Sequence, residues 1–283
     1  MLNKISKTLK TIRKNKQMSL SETTYNICSI SALSKFENGE ADISVGKFLK
    51  ILSRLDISLA EFSTYIDTSK KDNSFNDNLA INYNHQKVKQ IRRTIQSCHK
   101  QYIKTHSKKE FLHYMMAISF YKDLTSKDLS SSNDKVKFYN LIFRSEEWTR
   151  LEIETFGNTM PLLSNQNIYH LTFELFKNLN SILTSNQILY IDAWQTIFNA
   201  FQILIFRESK LALKLDKKIC NEKPSNRFIE INIEISFFHN LFLYSQKKSD
   251  KLKQEIQTTI NFLRKNDCKV LSNKFENALL SIE

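Results

Sequence analysis

A chain of 283 residues with 41% hydrophobic residues can form two domains and is too apolar to be a disordered protein. It holds only three glycines and two prolines, which disfavours sheet-rich folds, because strands joined by tight turns need these residues often. The formal net charge of +13 suits a polyanionic partner such as nucleic acid, but a compositional bias toward lysine would produce it too. Together these numbers predict an all-α protein of long helices joined by short polar loops.

The sequence gives no sign of a membrane or secretion signal. The N-terminus is polar and basic, and no stretch approaches about eighteen uncharged apolar residues, so we expect a cytoplasmic protein without a membrane partner. The four cysteines (Cys28, Cys98, Cys220 and Cys268) lie far apart and form no C-x-x-C pair. We therefore predict reduced thiols, with no disulfide framework, metal or other cofactor.

Residues 1–67 are predicted to form an N-terminal domain of five short helices. The second helix should begin at the capping box Ser19–Glu22, and the third should run from Ser29 or Ser31 to Glu37. Apolar residues three or four positions apart should form the inner faces of the first, fourth and fifth helices: Leu2, Ile5, Leu9 and Ile12; Val45, Phe48, Leu49, Leu52 and Leu55; Leu59, Phe62 and Ile66.

The second and third helices have the arrangement of a helix-turn-helix DNA reader, whose third helix lies in the major groove. Leu33 and Phe36 should face inward, and Gly39 should end the helix with a positive φ that glycine adopts at little cost. The positions left for the base edges and phosphates of double-stranded promoter DNA are Ile30, Ser31, Ser34, Lys35 and Asn38.

Residues 68–78 are polar without an apolar stripe, which predicts a linker. Residues 79–283 are predicted to be helical almost throughout, as stacked antiparallel hairpins of the tetratricopeptide type; because no clean consensus of about 34 residues is visible, a single irregular bundle remains the alternative. Polar breaks are expected near 105–108, 125–134, 164–166, 184–186, 221–226 and 246–250.

The segment 78–109 contains no Asp or Glu and eight basic residues. It predicts either a solvated helix face or a basic strip close to DNA phosphates. The basic residues are Lys87, Lys89, Arg92, Arg93, Lys100, Lys104, Lys108 and Lys109.

An array of helix hairpins offers a concave surface on which an extended peptide can bind through amides, apolar pockets and charged groups. Asn199 and Asn240 are amides within apolar helices, and each needs either a peptide or a partner on a neighbouring helix. The other candidate peptide-binding residues are Arg144, Arg150 and Arg207 for carboxylates, and Tyr190, Trp194 and Phe237 for pockets, although aromatic residues more often belong to a core.

Motifs in both predicted domains carry a family resemblance. "LKTIRKNK", "S-x-S-x-L-S-K-F-E-x-G-E-x-x-I-S" and "LDISLAEF" lie in the first, and "EEWTRLEIETFGNTMPLL" (146–163) lies in the second. The chain resembles the Rgg/MutR/GadR transcription regulators of Gram-positive bacteria, which implies a homodimer with a tetratricopeptide-like domain that binds a short signalling peptide. The resemblance places DNA contacts at Arg13, Ser21, Ile30, Ser31, Lys35 and Asn38. The chain departs from the family pattern at three positions. Thr23 and Thr24 stand where the family usually has an apolar residue and Ala, and Asn38 stands where it usually has a basic residue.

An enzyme is not expected, because the chain has no phosphate-binding glycine loop, H-E-x-x-H or G-x-S-x-G motif and its six histidines are dispersed. We predict a sequence-specific transcription regulator controlled by a short peptide pheromone. The alternatives are a DNA-binding regulator without a peptide ligand and a helical scaffold for protein interaction.

Overall fold

The computed structural model describes residues 2–67 and 75–283, which belong to two compact units, residues 1–74 and 75–283. The described residues form α-helices and no β-strand, so the predicted all-α fold class is confirmed. Of the predicted linker 68–78, residues 68–74 lie outside the described residues. The linker prediction is wrong for 75–78, which open a helix because Phe75 stacks on His113 and the following Leu79 is buried.

Unit 1 contains the five predicted short helices. Its buried core joins residues of the first, third, fourth and fifth helices, with Leu9, Leu33, Ile51 and Leu55 fully enclosed. Burial of such apolar side chains is the main stabilising contribution in a small helical unit. The helices are α1 (Leu2–Asn15), α2 (Leu20–Thr24), α3 (Ile30–Glu37), α4 (Val45–Arg54) and α5 (Leu59–Asp67).

The inner face of α4 differs from the prediction. Val45 and Leu49 are 73% and 42% exposed, whereas Ile51, which was not predicted, is fully buried. Each helical residue turns by about 100°, so Phe48, Ile51, Leu52 and Leu55 share one stripe while Leu49 lies a quarter turn away from Phe48. Spacing alone allowed both stripes, and packing on the neighbouring helices selects one. Leu59 of α5 is likewise exposed.

Unit 2 contains eleven helices, and all six predicted breaks coincide with helix ends. Further breaks at 85–87, 144–149, 207–210 and 266–268 were not predicted. The helices are α6 (Phe75–Asn84), α7 (Val88–Thr105), α8 (Lys108–Thr125), α9 (Ser132–Phe143), α10 (Arg150–Thr159, followed by a 3-10 turn), α11 (Asn165–Ser185), α12 (Gln187–Phe206), α13 (Leu211–Asn221), α14 (Ile229–Gln246), α15 (Asp250–Lys265) and α16 (Lys269–Leu280).

The helices of unit 2 form two rows. The even-numbered helices from α6 to α14 form one row, in which α6 packs on α8, α8 on α10, α10 on α12 and α12 on α14, while α9, α11 and α13 form a second row. Consecutive helices such as α7 and α8, or α11 and α12, also pack together as hairpins. This order is that of a stacked array of helix pairs, in which each pair contacts its neighbours, rather than of an irregular bundle.

Among the described residues, α12 is the one helix whose length and composition would allow it to cross a membrane. However, 61% of its most apolar window is buried inside unit 2, as in the core helix of a folded domain. Trp194, Ile197, Phe198 and Phe201 of this helix are almost or fully buried.

Candidate DNA-reading and ligand-binding sites

The third helix of unit 1 presents the polar face that the sequence predicts. Ser29 caps it by accepting a hydrogen bond from the amide of Ala32 at 3.2 Å, and Leu33 and Phe36 face the core. Ile30, Ser31 and Lys35 are exposed, whereas Ser34 is half-buried. The face available to DNA therefore consists of these side chains, and contact with bases stays a prediction.

Gly39 ends α3 in the left-handed conformation, with φ of 78°, as predicted. The amide of Glu40 donates to the carbonyl of Lys35 and the amide of Gly39 to that of Phe36, both at 2.9 Å. These two bonds form a Schellman motif, which satisfies carbonyls that the helix end would otherwise leave free. A Cβ at Gly39 would also lie 3.1 Å from Asn3 Oδ1, so a side chain here meets both strain and crowding.

The family resemblance implies that Arg13 contacts DNA, but in the structure Arg13 is buried and is not available to DNA. Its Nε and Nη2 donate to the two carboxylate oxygens of Glu37 at 2.7 Å each, and its Nη1 donates to the carbonyl of Met18 at 2.8 Å. Both side chains are buried, and the hydrogen bond with Glu37 raises the pKa of Arg13. The pair fastens α1 to α3, and the sequence did not indicate it, because Glu37 reads as a surface charge at a helix end.

Asn38 is exposed beside the end of α3, where the family pattern has a basic residue. Its Oδ1 accepts a hydrogen bond from Lys10 Nζ at 2.8 Å. Lys10 thus brings a positive charge from α1 to the position where the pattern expects one. Lys10 was not predicted, because its place beside Asn38 depends on how α1 packs against α3.

Ser21 is exposed on α2, where Ser19 accepts from the Glu22 amide and Glu22 bonds back to the Ser19 amide, as the predicted capping box requires. Thr23 and Thr24 are buried, and their hydroxyls donate to the carbonyls of Ser19 and Leu20 at 2.8 Å. The two threonines therefore pack in the unit without leaving an unsatisfied hydroxyl.

The even row of unit 2 carries an open cleft of about 360 Å³. Four helices supply its walls, α6, α8, α10 and α12, which is the row that an array offers to an extended ligand. The lining residues are Tyr83, Ser119, Phe120, Asp123, Gly157, Asn158, Pro161, Asn199, Gln202, Ile203 and Phe206.

Side-chain amides are the main polar groups of this cleft. Asn199 is exposed, and neither it nor Gln202 has a side-chain hydrogen bond within the part of the chain that the structure describes. Among the described residues, the one partner of the Asn158 amide nitrogen is the sulfur of Met116, 4.0 Å away. Asn158 lies within the last turn of α10 and lines the cleft. These amides can bond a peptide backbone, which offers both donors and acceptors.

One wall of the cleft carries a negative charge. The Tyr83 hydroxyl donates a hydrogen bond to Asp123, which together with burial raises the pKa of Tyr83 to about 12. The carboxylate of Asp123 is exposed and retains acceptor capacity for a cationic group of a ligand. Neither residue was predicted, because they are far apart in the chain and meet only when α6 packs on α8.

Gly157 allows α10 to approach α12 closely. A Cβ at this position would lie 3.3 Å from the hydroxyl of Thr196, which is tighter than ordinary van der Waals contact. The glycine therefore permits the approach that places Asn158 and Asn199 in the same cleft.

Three predicted pocket aromatics belong to the core instead. Tyr190, Trp194 and Phe237 are 6%, 1% and 1% exposed, so they cannot contact a ligand in this structure and that prediction is wrong. Trp194 packs edge-on against Phe176, and Phe237 stacks on Phe275 with ring centroids 3.6 Å apart. Because α12 is apolar on almost every side, its sequence does not distinguish core aromatics from cleft aromatics.

The remaining predicted residues do not line the cleft. Arg150 pairs with Glu154 at 3.1 Å, and Arg207 donates to the carbonyl of Leu163 at 2.9 Å, tying the end of α12 to the start of α11. Asn240 is half-buried on α14, and Arg144 caps α9 beside a different depression. Of the eight peptide-binding candidates, the structure brings Asn199 alone to the cleft.

The basic segment 78–109 is mainly α7, and all eight of its basic residues are exposed. Lys89, Arg93, Lys100 and Lys104 lie within about 60° of one another around the helix. The opposite side is closed by buried Ile91 and Ile95. The segment thus forms a solvated face, as one prediction required, and its contact with DNA phosphates stays a prediction.

A family model of the HTH-type transcriptional regulator Rgg, C-terminal domain, matches residues 75–277, and a general helix-turn-helix model matches residues 9–62. The chain belongs to the Rgg family of transcriptional regulators. As a member of this family, the protein is a DNA-binding regulator, and its helix-turn-helix unit contains α3 with its exposed polar face.

Solved structures similar to this Rgg-family protein share its fold over nearly the whole chain. A putative transcriptional regulator from Listeria monocytogenes EGD-e is 16% identical with a TM-score of 0.78, covering 100% of this chain and 98% of the other. The SHP pheromone receptor Rgg2 of Streptococcus dysgalactiae is 17% identical with a TM-score of 0.71, covering 97% and 98%. The PrgX/cCF10 complex is 16% identical with a TM-score of 0.74, covering 99% and 100%.

Proposed function

We propose that this Rgg-family regulator binds promoter DNA through α3 and is controlled by a short peptide in the cleft of α6, α8, α10 and α12. The cleft carries the proposal, because Asn199 and Gln202 make no side-chain hydrogen bond to any described residue and lie on the helix row that an array uses for extended ligands. The chain is similar to an SHP pheromone receptor and to PrgX in complex with cCF10, which supports the same assignment.

DNA binding is assigned to Ile30, Ser31 and Lys35 on α3, with Lys10 and Asn38 at the phosphate backbone. Lys35→Ala should weaken binding to the operator by about tenfold or more, because one base or phosphate contact is worth about 1–3 kcal/mol. The measurement is fluorescence anisotropy with promoter fragments from upstream of the gene, at several salt concentrations.

The matched control is Lys50→Ala, which removes an exposed lysine from α4 and should change only the nonspecific, salt-dependent part of binding. Equal affinity of the wild type and Lys35→Ala for the operator would show that α3 is not the reading helix. If no promoter-proximal fragment binds in a salt-sensitive manner, the chain acts as a protein-interaction scaffold.

Peptide binding is assigned to Asn199, Gln202 and Asn158, which can bond the peptide backbone, and to Asp123, which suits a peptide amino terminus or a basic side chain. The proposed apolar contacts with the peptide are made by Phe120, Ile203 and Phe206, which also line the cleft. Asn199→Ala should lower peptide affinity by about tenfold, since it leaves a peptide group unpaired at a cost of about 1–3 kcal/mol.

Fluorescence polarisation with synthetic peptides from short reading frames beside the gene measures this affinity. Gln187→Ala is the control, because Gln187 is an exposed amide on the same helix but outside the cleft. If Asn199→Ala binds every peptide with the affinity of the wild type, the ligand binds elsewhere. Absence of any peptide binding, with DNA binding retained, would favour a regulator without a peptide ligand.

We further propose that this protein is a cytoplasmic homodimer without enzymatic activity. A dimer suits a helix-turn-helix reader, because two reading helices bind half-sites about one DNA turn apart. Light scattering after size-exclusion chromatography measures the assembly, and a mass of one chain at the concentration that binds DNA would contradict the dimer.

A further inference from the structure

Three metal-ligating side chains meet on the surface between α13 and α14. Asp216 and Cys220 are one turn apart on α13, and His239 reaches them from α14. His239 Nδ1 is 2.9 Å from Asp216 Oδ1 and 3.4 Å from Cys220 Sγ, while Cys220 Sγ is 3.7 Å from Asp216 Oδ1. The three ligand atoms thus form a small triangle, in which Asp216 is buried, His239 is half-buried and Cys220 is exposed.

The dimensions of this triangle match one face of a tetrahedral zinc site. With Zn–S near 2.3 Å and Zn–N and Zn–O near 2.1 Å, tetrahedral ligand pairs are separated by about 3.6 Å when one is sulfur and about 3.4 Å otherwise. The two distances to Cys220 Sγ lie within about 0.2 Å of these values, and the distance from His239 to Asp216 needs to open by about 0.5 Å. Small side-chain rotations of the exposed Cys220 and the half-buried His239 supply this change.

The environment of Asp216 also indicates a cation. Its side chain is only 8% exposed, and within residues 2–67 and 75–283 its partners are the imidazole of His239 and the thiol of Cys220, with no Lys or Arg in an ion pair. Lys218, on the same helix, pairs with Glu222 instead. A buried carboxylate is ordinarily paired with a positive charge or bound to a metal.

We propose that Asp216, Cys220 and His239 form a binding site for a divalent zinc ion, which links α13 to α14 and leaves a fourth position open to water. Carboxylate, thiolate and imidazole are all established zinc ligands, and an Asp/Cys/His set disfavours Mg²⁺ and Ca²⁺, which prefer oxygen ligands. On binding, the Cys220 thiol loses its proton to solvent and the thiolate coordinates the ion. The sequence did not indicate this site, because its ligands come from two helices and form no linear motif.

Cobalt(II) titration of the full-length protein tests the site directly, because a cobalt–thiolate bond gives a near-ultraviolet charge-transfer band. We expect the band to saturate at one Co²⁺ per chain, to disappear on addition of excess Zn²⁺, and to be absent in Cys220→Ser. Cys268→Ser, which removes the other exposed cysteine of unit 2, should leave the band unchanged. A band that survives Cys220→Ser, or no band in the wild type, would overturn the proposal.

Thermal unfolding supplies a second readout that does not depend on cysteine. Zn²⁺ at about a hundredfold excess over Kd should raise the Tm of unit 2 by about 5–10 °C. Tryptophan fluorescence monitors the unfolding. His239→Ala should lose most of this shift, whereas His85→Ala, an exposed histidine elsewhere in the same unit, should retain it. Circular dichroism of each variant without metal establishes that it is folded. An equal shift in wild type and His239→Ala would show that the ion binds elsewhere.

Discussion

In unit 1 short helices begin at serine caps, with Ser19, Ser29 and Ser58 each accepting a hydrogen bond from an amide three residues later. In unit 2 the central helices α12 and α14 bury apolar residues on most of their circumference. Ser131 and Ser164 begin α9 and α11 of unit 2 in the same way, so polar caps are common to both units. What separates the units is the apolar core, which is small in unit 1 and is a large, dense packing between helices in unit 2.

The difference decides which substitutions each unit should tolerate. Unit 1 has a small apolar core and a buried Arg13–Glu37 pair, so it should be sensitive to losses of single polar contacts. Unit 2 has a far larger apolar core, so it should be sensitive to cavities and insensitive to most changes of its exposed polar residues.

The largest expected effect is that of Phe198→Ala in α12. Phe198 is fully buried and stacks against Phe238, so its truncation should lower the free energy of unfolding of unit 2 by about 3–5 kcal/mol. Both tryptophans of the chain, Trp148 and Trp194, lie in unit 2, so their fluorescence during denaturation reports on this unit.

The neighbouring variant Asn199→Ala is the matched control, because Asn199 is exposed and has no side-chain hydrogen bond among the described residues. Its effect on stability should stay within about 0.5 kcal/mol. If the two variants destabilise unit 2 equally, α12 does not separate a core face from a cleft face, and the assignment of the cleft would be lost with it.

A second large effect is expected in unit 1 from Glu37→Ala. This change leaves the Arg13 guanidinium buried without its carboxylate, which should cost about 3 kcal/mol, as is typical of breaking one half of a buried ion pair. Hydrogen exchange of peptides from α1 and α3 measures the loss. The double variant Arg13→Met with Glu37→Leu should recover most of it; no recovery would show that the pair contributes more than mutual neutralisation.

The sequence was most informative where a structure depends on neighbouring residues. The cap at Ser29, the glycine turn at Gly39 and the inward Leu33 and Phe36 were all predictable, because each follows from spacing or from backbone conformation. The six polar breaks in unit 2 were predictable for the same reason. The four missed breaks, such as 207–210, are no shorter than the predicted break at 184–186, where Asn186 alone lies outside the helices, so length does not explain why they were missed.

The sites were less predictable, because they depend on contacts between distant parts of the chain. The place of Asn199 in the cleft was predictable, because an amide in an apolar helix must lie at a surface or find a partner. Nothing local distinguishes the buried Trp194 from a pocket residue. Lys10 beside Asn38 and Asp123 beside Tyr83 become evident only after helices are placed against each other.

A smaller effect is expected from Gly39→Ala, which tests the local signals of unit 1. A side chain at φ of 78° should cost about 1–2 kcal/mol, with crowding against Asn3 added to the backbone strain. Gly46→Ala is the control, because Gly46 is helical and a Cβ there meets nothing within 4 Å. It should stabilise unit 1 by up to about 1 kcal/mol. If both variants change the stability of unit 1 in the same direction, the turn after α3 is more adaptable than its geometry indicates.

The smallest effect concerns a polar contact in the packing-dominated unit. Burial raises the pKa of Asp128, but hydrogen bonds from Lys135, Ser130 and Lys122 outweigh it and hold the pKa below its usual range. A carboxylate with a depressed folded-state pKa stabilises the protein above its unfolded pKa, near 3.9, and this contribution is lost as the pH falls toward the folded value. Asp128→Asn should therefore cost about 1 kcal/mol at pH 7 and progressively less below about pH 4.

Urea denaturation of the wild type and Asp128→Asn between pH 3 and pH 7 measures this difference. Asp267→Asn is the control, because Asp267 is exposed in a left-handed turn that asparagine also adopts, and it should show no such pH dependence. A constant difference across this range would mean that the Asp128 side chain stabilises unit 2 by shape or hydrogen bonding that asparagine lacks, rather than through its charge. A polar network would then add to the packing that stabilises unit 2, and the contrast between the two units would narrow.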